Sequence, residues 1–372
     1  MTTDSTGLTR REAILAAGGA ATVAAMGFGR EARAAKDYMI VNGLDASTAD
    51  AAFVELLKQG GVDCVHKSIG DINSVASYYG LAHTHADDIT LCKSVAEIHA
   101  ANKAGRVALL LGSQVATNYE AALYSDGFGV LGTFAAMRQA VTNFKGLGVA
   151  IQGLCYNTTN VFGSGCLNHD GPLTRAGHKL VESLHENKIL LDVGGHCGER
   201  TSLDAIAASP GVPVVCTHTN VKALNDNPRA TSDKLMTAIA KTGGVIGITA
   251  VSAFHNHNTD TQDRTEDVQA TLDEHLDQYD YVKKLLGAEH VALGPDFISG
   301  WGPHVPMDPE DSAAFPPWSI APGTQSTVEG FEDTSKMPNL IAGLQDRGWS
   351  ERELDLVMGQ NWLRVYEAAW GA

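Results

Sequence analysis

The sequence Leu190-Leu191-Asp192-Val193-Gly194-Gly195-His196 is an apolar, strand-like run that ends in a glycine turn and a histidine. The next such run along the chain, Val214-Val215-Cys216-Thr217-His218-Thr219, also ends in a histidine. The segment Ser202–Ala208 between them has helical periodicity. Near-continuous apolar strands that alternate with helices are typical of a parallel sheet whose faces are covered by helices.

The same alternation extends over most of the chain. Other segments that resemble amphipathic helices are Leu173–Asn187 and Ser232–Thr242. Eight strand-like runs are present, namely Tyr38–Val41, Gly61–Val65, Val107–Leu111, Gly148–Leu154, Lys188–Val193, Pro213–Thr217, Gly244–Thr249 and His290–Leu293. Eight such units predict an α/β protein with a closed (β/α)8 TIM barrel. No G-x-G-x-x-G motif follows the first run, which disfavours a dinucleotide-binding sheet.

Two further segments follow the last strand-like run. Residues 300–338 are irregular and rich in Pro, Gly and Trp, which predicts a long loop over one barrel face. A final helix is expected from about Ser350 to Trp370. The barrel domain is therefore predicted to span residues 35–372.

The first 34 residues have the pattern of an export signal. Arg10 and Arg11 precede an apolar stretch, Ala13–Phe28, that is too short to span a bilayer, and Ala32-Arg33-Ala34 resembles a cleavage site. We therefore predict a twin-arginine signal at 1–34, with the twin-arginine export machinery as partner and a periplasmic or secreted protein as product. The alternative is a disordered or amphipathic N-terminal helix. No later segment predicts stable membrane insertion.

Composition excludes some classes of function. The formal net charge is −16 in 372 residues, and an acidic surface disfavours binding to nucleic acid. The six cysteines contain no C-x-x-C pair and are too few for a disulfide scaffold, although one bridge is possible in an oxidising compartment. We expect the cysteines to be small buried groups. The sequence is also compatible with a homodimer.

Polar side chains follow most of the strand-like runs, where the chemistry of a barrel collects. They are Asp45, Gln114, Tyr156, Asn157, His196, His218 and Asp296. Neutral imidazole is a favoured zinc ligand, and adjacent strand ends lie close enough for one ion to contact both histidines. The pair therefore predicts a metal centre, although each histidine could instead be a hydrogen-bonded structural residue.

Carboxylates and one arginine complete the candidate site. Asp45 could be a third ligand, and Asp296 could move a proton to or from a metal-activated water, although both could be loop or capping residues. Asp192 could orient one of the histidines. Arg229 could bind a substrate carboxylate through two hydrogen bonds, or it could be a solvated loop residue.

Two further histidine pairs are weaker candidates for metal binding. His255 and His257 lie near the seventh strand end, whereas His83 and His85 follow no strand.

Several motifs together resemble the membrane dipeptidase (renal dipeptidase) family of zinc peptidases. The quoted histidine stretches belong to them, and the others are Tyr156-Asn157, Gly163-Ser164-Gly165-Cys166, Gly171-Pro172-Leu173-Thr174, Asn227-Pro228-Arg229, Thr242-Gly243-Gly244-Val245-Ile246-Gly247, Gly294-Pro295-Asp296-Phe297 and Gly359-Gln360-Asn361-Trp362-Leu363-Arg364. The resemblance implies an amidohydrolase-like barrel with a two-zinc centre that hydrolyses dipeptides. It implies zinc ligation by His196 and His218, binding of the substrate carboxylate by Arg229 and proton transfer by Asp296.

The chain departs from this family pattern at three positions. The first strand of the family ends in His-x-Asp, and here it reads Gly43-Leu44-Asp45. Gln114 stands where the family has a bridging glutamate, and Tyr156 stands where the family has a substrate-contacting histidine. Asp45, His196 and His218 with the weak ligand Gln114 would suffice for one zinc and are few for two.

Two functional hypotheses follow from this ligand set. The first is a metal-dependent hydrolase of dipeptides or similar short amides with a reduced, single-zinc centre. The second is a redeployed barrel that binds or matures a peptide-derived metabolite without hydrolysing dipeptides. Asp296 is the candidate catalytic residue, and Arg229, Tyr156 and Asn157 are the candidate substrate-binding residues.

Overall fold

The computed structural model describes residues 38–123, 133–255, 269–299 and 327–371. The predicted signal at 1–34 and most of the predicted loop at 300–338 lie outside these residues. At the end of that loop, Thr334–Lys336 forms a short 3-10 turn, and a helix begins at Met337.

Nine short strands form the sheet of the described chain. They are β1 (Val41–Asp45), β2 (Cys64–Ser68), β3 (Ile89–Leu91), β4 (Val107–Ser113), β5 (Val149–Gly153), β6 (Leu190–Asp192), β7 (Val214–Thr219), β8 (Ile246–Ile248) and β9 (Val291–Leu293). Their residues are almost all buried, as expected for strands with helices outside and side chains filling the inside.

Helices follow the strands and form the outer layer. They are α1 (Ala51–Gln59), α2 (Ile72–Thr84), α3 (Val95–Lys103), α4 (Thr117–Leu123), α5 (Phe134–Gly146), α6 (Arg175–Glu186), α7 (Glu199–Ala207), α8 (Asp233–Lys241), α9 (Leu272–Leu286), α10 (Met337–Asp346), α11 (Glu351–Asp355) and α12 (Asn361–Trp370). A π-helical turn, Leu356–Gln360, joins the last two. None of the helices that the structure describes is long and apolar enough to cross a membrane.

Side-chain caps explain where many of these helices begin. Ser232 accepts the Leu235 backbone N–H at the start of α8, and Ser350 forms a capping box with Glu353 at the start of α11. The predicted helix at Ser202–Ala208 begins earlier than expected, at Glu199, after the uncapped Gly198.

All strand pairs are parallel, and the order β1-β2-β4-β5-β6-β7-β8-β9 contains the eight predicted strands. A parallel bridge between Asp45 and Phe297 brings the last strand back to the first. The prediction of an α/β barrel with eight parallel strands is therefore confirmed. The additional strand, β3, pairs with β4 outside the main order.

The C-terminal helix closes one end of the barrel. The rings of Trp362, Tyr366 and Trp370 in α12 stack in succession, and the Trp362 indole donates to the Leu293 carbonyl at 2.8 Å. A side chain at Gly43 would overlap this indole and the same carbonyl. The barrel therefore has no room for a histidine at position 43, because Trp362 occupies that space.

Candidate active site

The two strand-end histidines lie side by side. His196 follows β6 through Gly194 and Gly195, and Gly195 has φ of 69°, a conformation that favours glycine. His218 lies within β7 and is fully buried. The two imidazole Nε2 atoms are 2.9 Å apart. The structure thus brings together the two residues on which the sequence prediction depends.

Hydrogen bonds on the far side of each ring fix both tautomers. Asn157 Oδ1 lies 2.7 Å from His196 Nδ1, and an amide oxygen only accepts, so that nitrogen carries the proton. Thr217 Oγ1 donates to Asp192 at 2.6 Å and therefore accepts from His218 Nδ1 at 2.8 Å. Each Nε2 consequently has a lone pair, and the two lone pairs face each other.

Both rings are neutral in this environment. Burial lowers the pKa of His196 and of His218 well below the ordinary value, and the Arg229 guanidinium lowers both further. A shared proton therefore does not explain the short contact between the Nε2 atoms. Two facing lone pairs at this distance are the arrangement that a bound cation would stabilise.

Gln114 and Tyr156 lie against His196. Gln114 Oε1 is 2.8 Å from His196 Nε2, and its amide nitrogen donates to Ser68 Oγ at 3.0 Å. The amide therefore directs a third lone-pair-bearing atom to the same point. The Tyr156 ring stacks on the His196 ring with centroids 3.9 Å apart, and 46% of the Tyr156 surface is exposed. Tyr156 thus forms part of the solvent-facing wall of the site.

Arg229 is a buried cation next to the histidine pair. Its side chain is 2% exposed, and its Nη2 lies 3.2 Å from His196 Nε2. Among the residues that the structure describes, its other terminal nitrogen, Nη1, has no hydrogen-bond partner, and no carboxylate forms a salt bridge with the guanidinium. The Phe254 ring, 5.2 Å away, supplies a cation–π contact. A buried guanidinium that forms no salt bridge with the described residues is suited to receive a carboxylate from a ligand.

Asp296 approaches the same end of the His218 ring, with its Oδ2 4.0 Å from His218 Nε2. Its backbone has φ of 58°, and its N–H donates to the Leu44 carbonyl at 3.0 Å. Burial raises the pKa of Asp296 to about 7, although Arg229 opposes this shift. A carboxyl group that titrates near neutrality is suited to proton transfer.

Asp45 is the one predicted ligand that the structure does not place with the histidines. Its Oδ1 accepts from Lys67 Nζ at 2.8 Å and from the Ser47 N–H at 2.9 Å. Its Oδ2 accepts from Asn42 Nδ2 at 3.1 Å and from Thr334 Oγ1 at 3.3 Å. The register between β1 and β2 shifts between Asn42 and Asp45, so that Asp45 pairs with Lys67.

The donor atoms next to the histidine pair are of types that bind zinc. Two imidazole nitrogens and one amide oxygen converge, whereas Asp45 has an ammonium partner and Gly43 leaves no room for a histidine. Within the described ranges, no group of three or more His, Cys, Asp or Glu side chains is arranged to hold a metal ion.

The weaker histidine candidates lie outside this cluster. His255 is buried, with its Nε2 2.7 Å from the Thr249 carbonyl and 3.3 Å from His275 Nδ1. His83 is in the last turn of α2, and His85 caps that helix. His257 is outside the described residues.

Sequence reasoning missed the polar end of β2. Its predicted strand ended at Val65, but β2 continues to Ser68, so His66 and Lys67 were not read as strand-end residues. His66 Nδ1 donates to the Gly43 carbonyl at 2.7 Å, and its buried Nε2 has no partner among the described residues. The sequence Val65-His66-Lys67-Ser68 does indicate strand-end residues, because its polar side chains follow the apolar run directly.

Comparisons with known proteins agree with this architecture. A curated relative from Klebsiella pneumoniae, an uncharacterized protein in the pqqA 5' region, is 30% identical over 61% of this chain and 74% of its own length. An amidohydrolase structure from Pseudomonas aeruginosa has a TM-score of 0.75 at 26% identity and covers 92% of this chain and 99% of its own. The structure of dipeptidase AC, a metallopeptidase of family M19, has a TM-score of 0.71 at 18% identity and covers 91% and 100%.

The sequence profile of the membrane dipeptidase family, peptidase family M19, matches residues 51–317 and 319–370. The match includes every candidate site residue except Asp45, which precedes it. The resemblance seen in the sequence is thereby confirmed, and the chain belongs to the membrane dipeptidase family.

Proposed function

We propose that this protein is a metal-dependent hydrolase of dipeptides or similar short amides, with a reduced centre that holds one zinc ion. His196 and His218 would hold the ion through Nε2, with the Gln114 amide oxygen as a weak third ligand. One observation carries the proposal. The two facing Nε2 lone pairs lie beside a buried guanidinium that forms no salt bridge within the described part of the chain.

The side chains around the pair have separable roles in this proposal. Arg229 binds the terminal carboxylate of the substrate, because its free Nη1 can donate without breaking an existing hydrogen bond. Asn157 and Thr217 hold the imidazoles in the tautomer that leaves Nε2 unprotonated. Tyr156 covers the outer face of His196 and can donate a hydrogen bond to the substrate.

Proton transfer is assigned to Asp296. Its pKa of about 7 allows the carboxyl group to accept a proton from the attacking water and to deliver it to the leaving amine. Bound zinc would supply Lewis acidity, which polarises a carbonyl and makes water a stronger nucleophile at neutral pH.

A second function is favoured by two features. The space for a histidine at position 43 is filled by Trp362, and the Asp45 carboxylate is held by Lys67. These departures from the family pattern support a barrel that binds or matures a peptide-derived metabolite without dipeptide hydrolysis.

Metal content and dipeptide turnover, measured on the same purified protein, separate the two functions. The first predicts about one zinc per chain and turnover that His196→Ala abolishes. His83→Ala is the matched control, because His83 is an exposed histidine in α2, and it should retain both zinc and turnover. Absence of both metal and turnover in the wild-type protein would refute the hydrolase. Zinc without turnover of any dipeptide would support the second function.

We further propose that residues 1–34 direct export to the periplasm by the twin-arginine route. Cell fractionation of a strain producing Arg10→Lys/Arg11→Lys protein should show retention in the cytoplasm, whereas the wild-type protein is exported. Periplasmic delivery of the double variant at the wild-type level would contradict the proposal. A homodimer, also proposed, would appear as twice the chain mass in analytical ultracentrifugation.

A further inference from the structure

A lysine is buried at the end of the second strand, next to the candidate metal centre. The side chains of Lys67 and Asp45 are both 0% exposed, and their charged atoms are 2.8 Å apart. Lys67 Nζ also donates to the Ser47 carbonyl at 2.7 Å and lies 4.2 Å from the centre of the Phe53 ring. This ammonium is therefore held by three separate contacts and occupies a fixed position.

The Asp45 carboxylate has no free acceptor position in this arrangement. Each of its oxygens accepts two hydrogen bonds, and one of the four donors is the Lys67 ammonium. A second cation at Asp45 would have to displace hydrogen bonds and would meet the charge of Lys67 at close range. The carboxylate is consequently withheld from metal binding.

A continuous row of contacts connects this ion pair to the histidines. Ser68 follows Lys67 on β2, and its Oγ accepts from the Gln114 amide. The carbonyl oxygen of the same amide contacts His196 Nε2. The strand ends of β1, β2, β4 and β6 thus supply, in order, a paired carboxylate, an ammonium, a neutral amide and an imidazole. On this side of the pair, the row offers no free negative charge to a second metal ion.

We propose that Lys67, together with the neutral Gln114, limits this centre to one metal ion, because Lys67 holds Asp45 as its ion-pair partner. The inference rests on the proposed function, since it assumes that His196 and His218 bind the first ion. It assigns Lys67 a specificity role for metal number, which no motif in the sequence indicated.

Zinc per chain, measured by inductively coupled plasma mass spectrometry after dialysis, tests the inference. Wild type, Gln114→Glu and Lys67→Met should each bind about one zinc, since each single variant still lacks one of the two free carboxylates. The Lys67→Met/Gln114→Glu protein should bind about two, because both carboxylates are then available. Adding Asp45→Asn to the Lys67→Met/Gln114→Glu protein should return the zinc content to about one per chain.

Thermal unfolding supplies a readout that does not depend on activity. Lys67→Met leaves a buried carboxylate without its cation. The Lys67→Met/Gln114→Glu protein should therefore have a low Tm without metal and a large increase in Tm with zinc. Lys67→Met/Asp45→Asn, which removes both charges, is the folding control. Zinc should raise its Tm by no more than it raises the Tm of the wild type.

The outcomes separate this inference from the proposed function. Two zinc ions in Gln114→Glu alone would overturn the inference, because Asp45 would then bind metal in the presence of Lys67. A folded double variant that binds only one zinc would also overturn it, and the ion pair would be structural only. Wild-type protein without zinc would instead overturn the proposed function.

Discussion

Separate removal of each partner of the Lys67–Asp45 pair should destabilise the protein strongly, whereas removal of both should not. The perturbations are Lys67→Met, Asp45→Asn and the double variant. Lys67→Met leaves the Asp45 carboxylate fully buried with three neutral donors, from Ser47, Asn42 and Thr334. Asp45→Asn leaves a buried ammonium with only the Ser47 carbonyl and a neutral amide as acceptors.

The expected magnitude follows from this burial. Loss of one partner from a buried ion pair typically costs about 3–5 kcal/mol, and the remaining neutral hydrogen bonds place Lys67→Met near the lower limit, at about 3 kcal/mol. The double variant should lie within about 1 kcal/mol of wild type, since neutral side chains of similar size need no counter-charge. The coupling energy in the double-mutant cycle should therefore exceed about 2 kcal/mol.

Differential scanning calorimetry and urea unfolding of metal-free protein would measure these values. In a domain of more than 300 residues, with an unfolding entropy of roughly 2 cal/mol/K per residue, 1 kcal/mol corresponds to about 1.5 °C in Tm. Each single variant should thus melt about 4–7 °C below wild type. Single variants that each lose less than about 1 kcal/mol, or effects that simply add, would refute the assignment of a buried ion pair.

Three further predictions concern the site. Arg229→Met should lower kcat/KM for a dipeptide by about 30-fold or more, because loss of a buried charge pair costs at least about 2 kcal/mol, at about 1.4 kcal/mol per tenfold. The same variant should have little effect on kcat/KM for the C-terminal amide of that dipeptide, and equal losses on both substrates in steady-state assays would contradict the carboxylate role. Gly43→His should lower Tm by several degrees without added zinc, because the new side chain collides with Trp362; a stable variant with a second zinc would show that reasoning to be wrong. Burial raises the pKa of Asp192 to about 6, so folding favours the neutral carboxyl group. As the pH rises from about 4 to about 6, the unfolding free energy of the metal-free protein should therefore fall by roughly 3 kcal/mol relative to that of Asp192→Asn. Parallel urea-unfolding profiles against pH for the two proteins would exclude this effect.

The order of the strands could be predicted because each one carries its own apolar signal. All eight predicted runs correspond to strands of the barrel order, although the first run ended at Val41, where β1 begins. The strand Ile89–Leu91 was missed, since it is three residues long and two of them are only half-buried. Short runs of this kind lack the periodicity from which a strand can be recognised.

The polar end of β2 shows why the candidate site was predicted incompletely. His66 and Lys67 are polar, so they ended the apolar run from which the strand was predicted. Their burial is explained only by partners on another strand, namely the Gly43 carbonyl for His66 and the Asp45 carboxylate for Lys67. Such partners are more than 20 residues away in the sequence, and the chain itself does not identify them.

The sequence by itself determined the barrel, its family and the residue types at the strand ends, because hydrophobic periodicity and local motifs are properties of short segments. It also showed that Gly43 and Gln114 depart from the family pattern. Only the tertiary structure decided how the strand-end residues are used. The facing lone pairs of His196 and His218, the position of the buried Arg229 guanidinium and the retention of Asp45 by Lys67 all depend on contacts between different strands and loops. Distances of a few ångströms between strand ends determine which groups form ion pairs and hydrogen bonds, and these distances are established only when the chain folds.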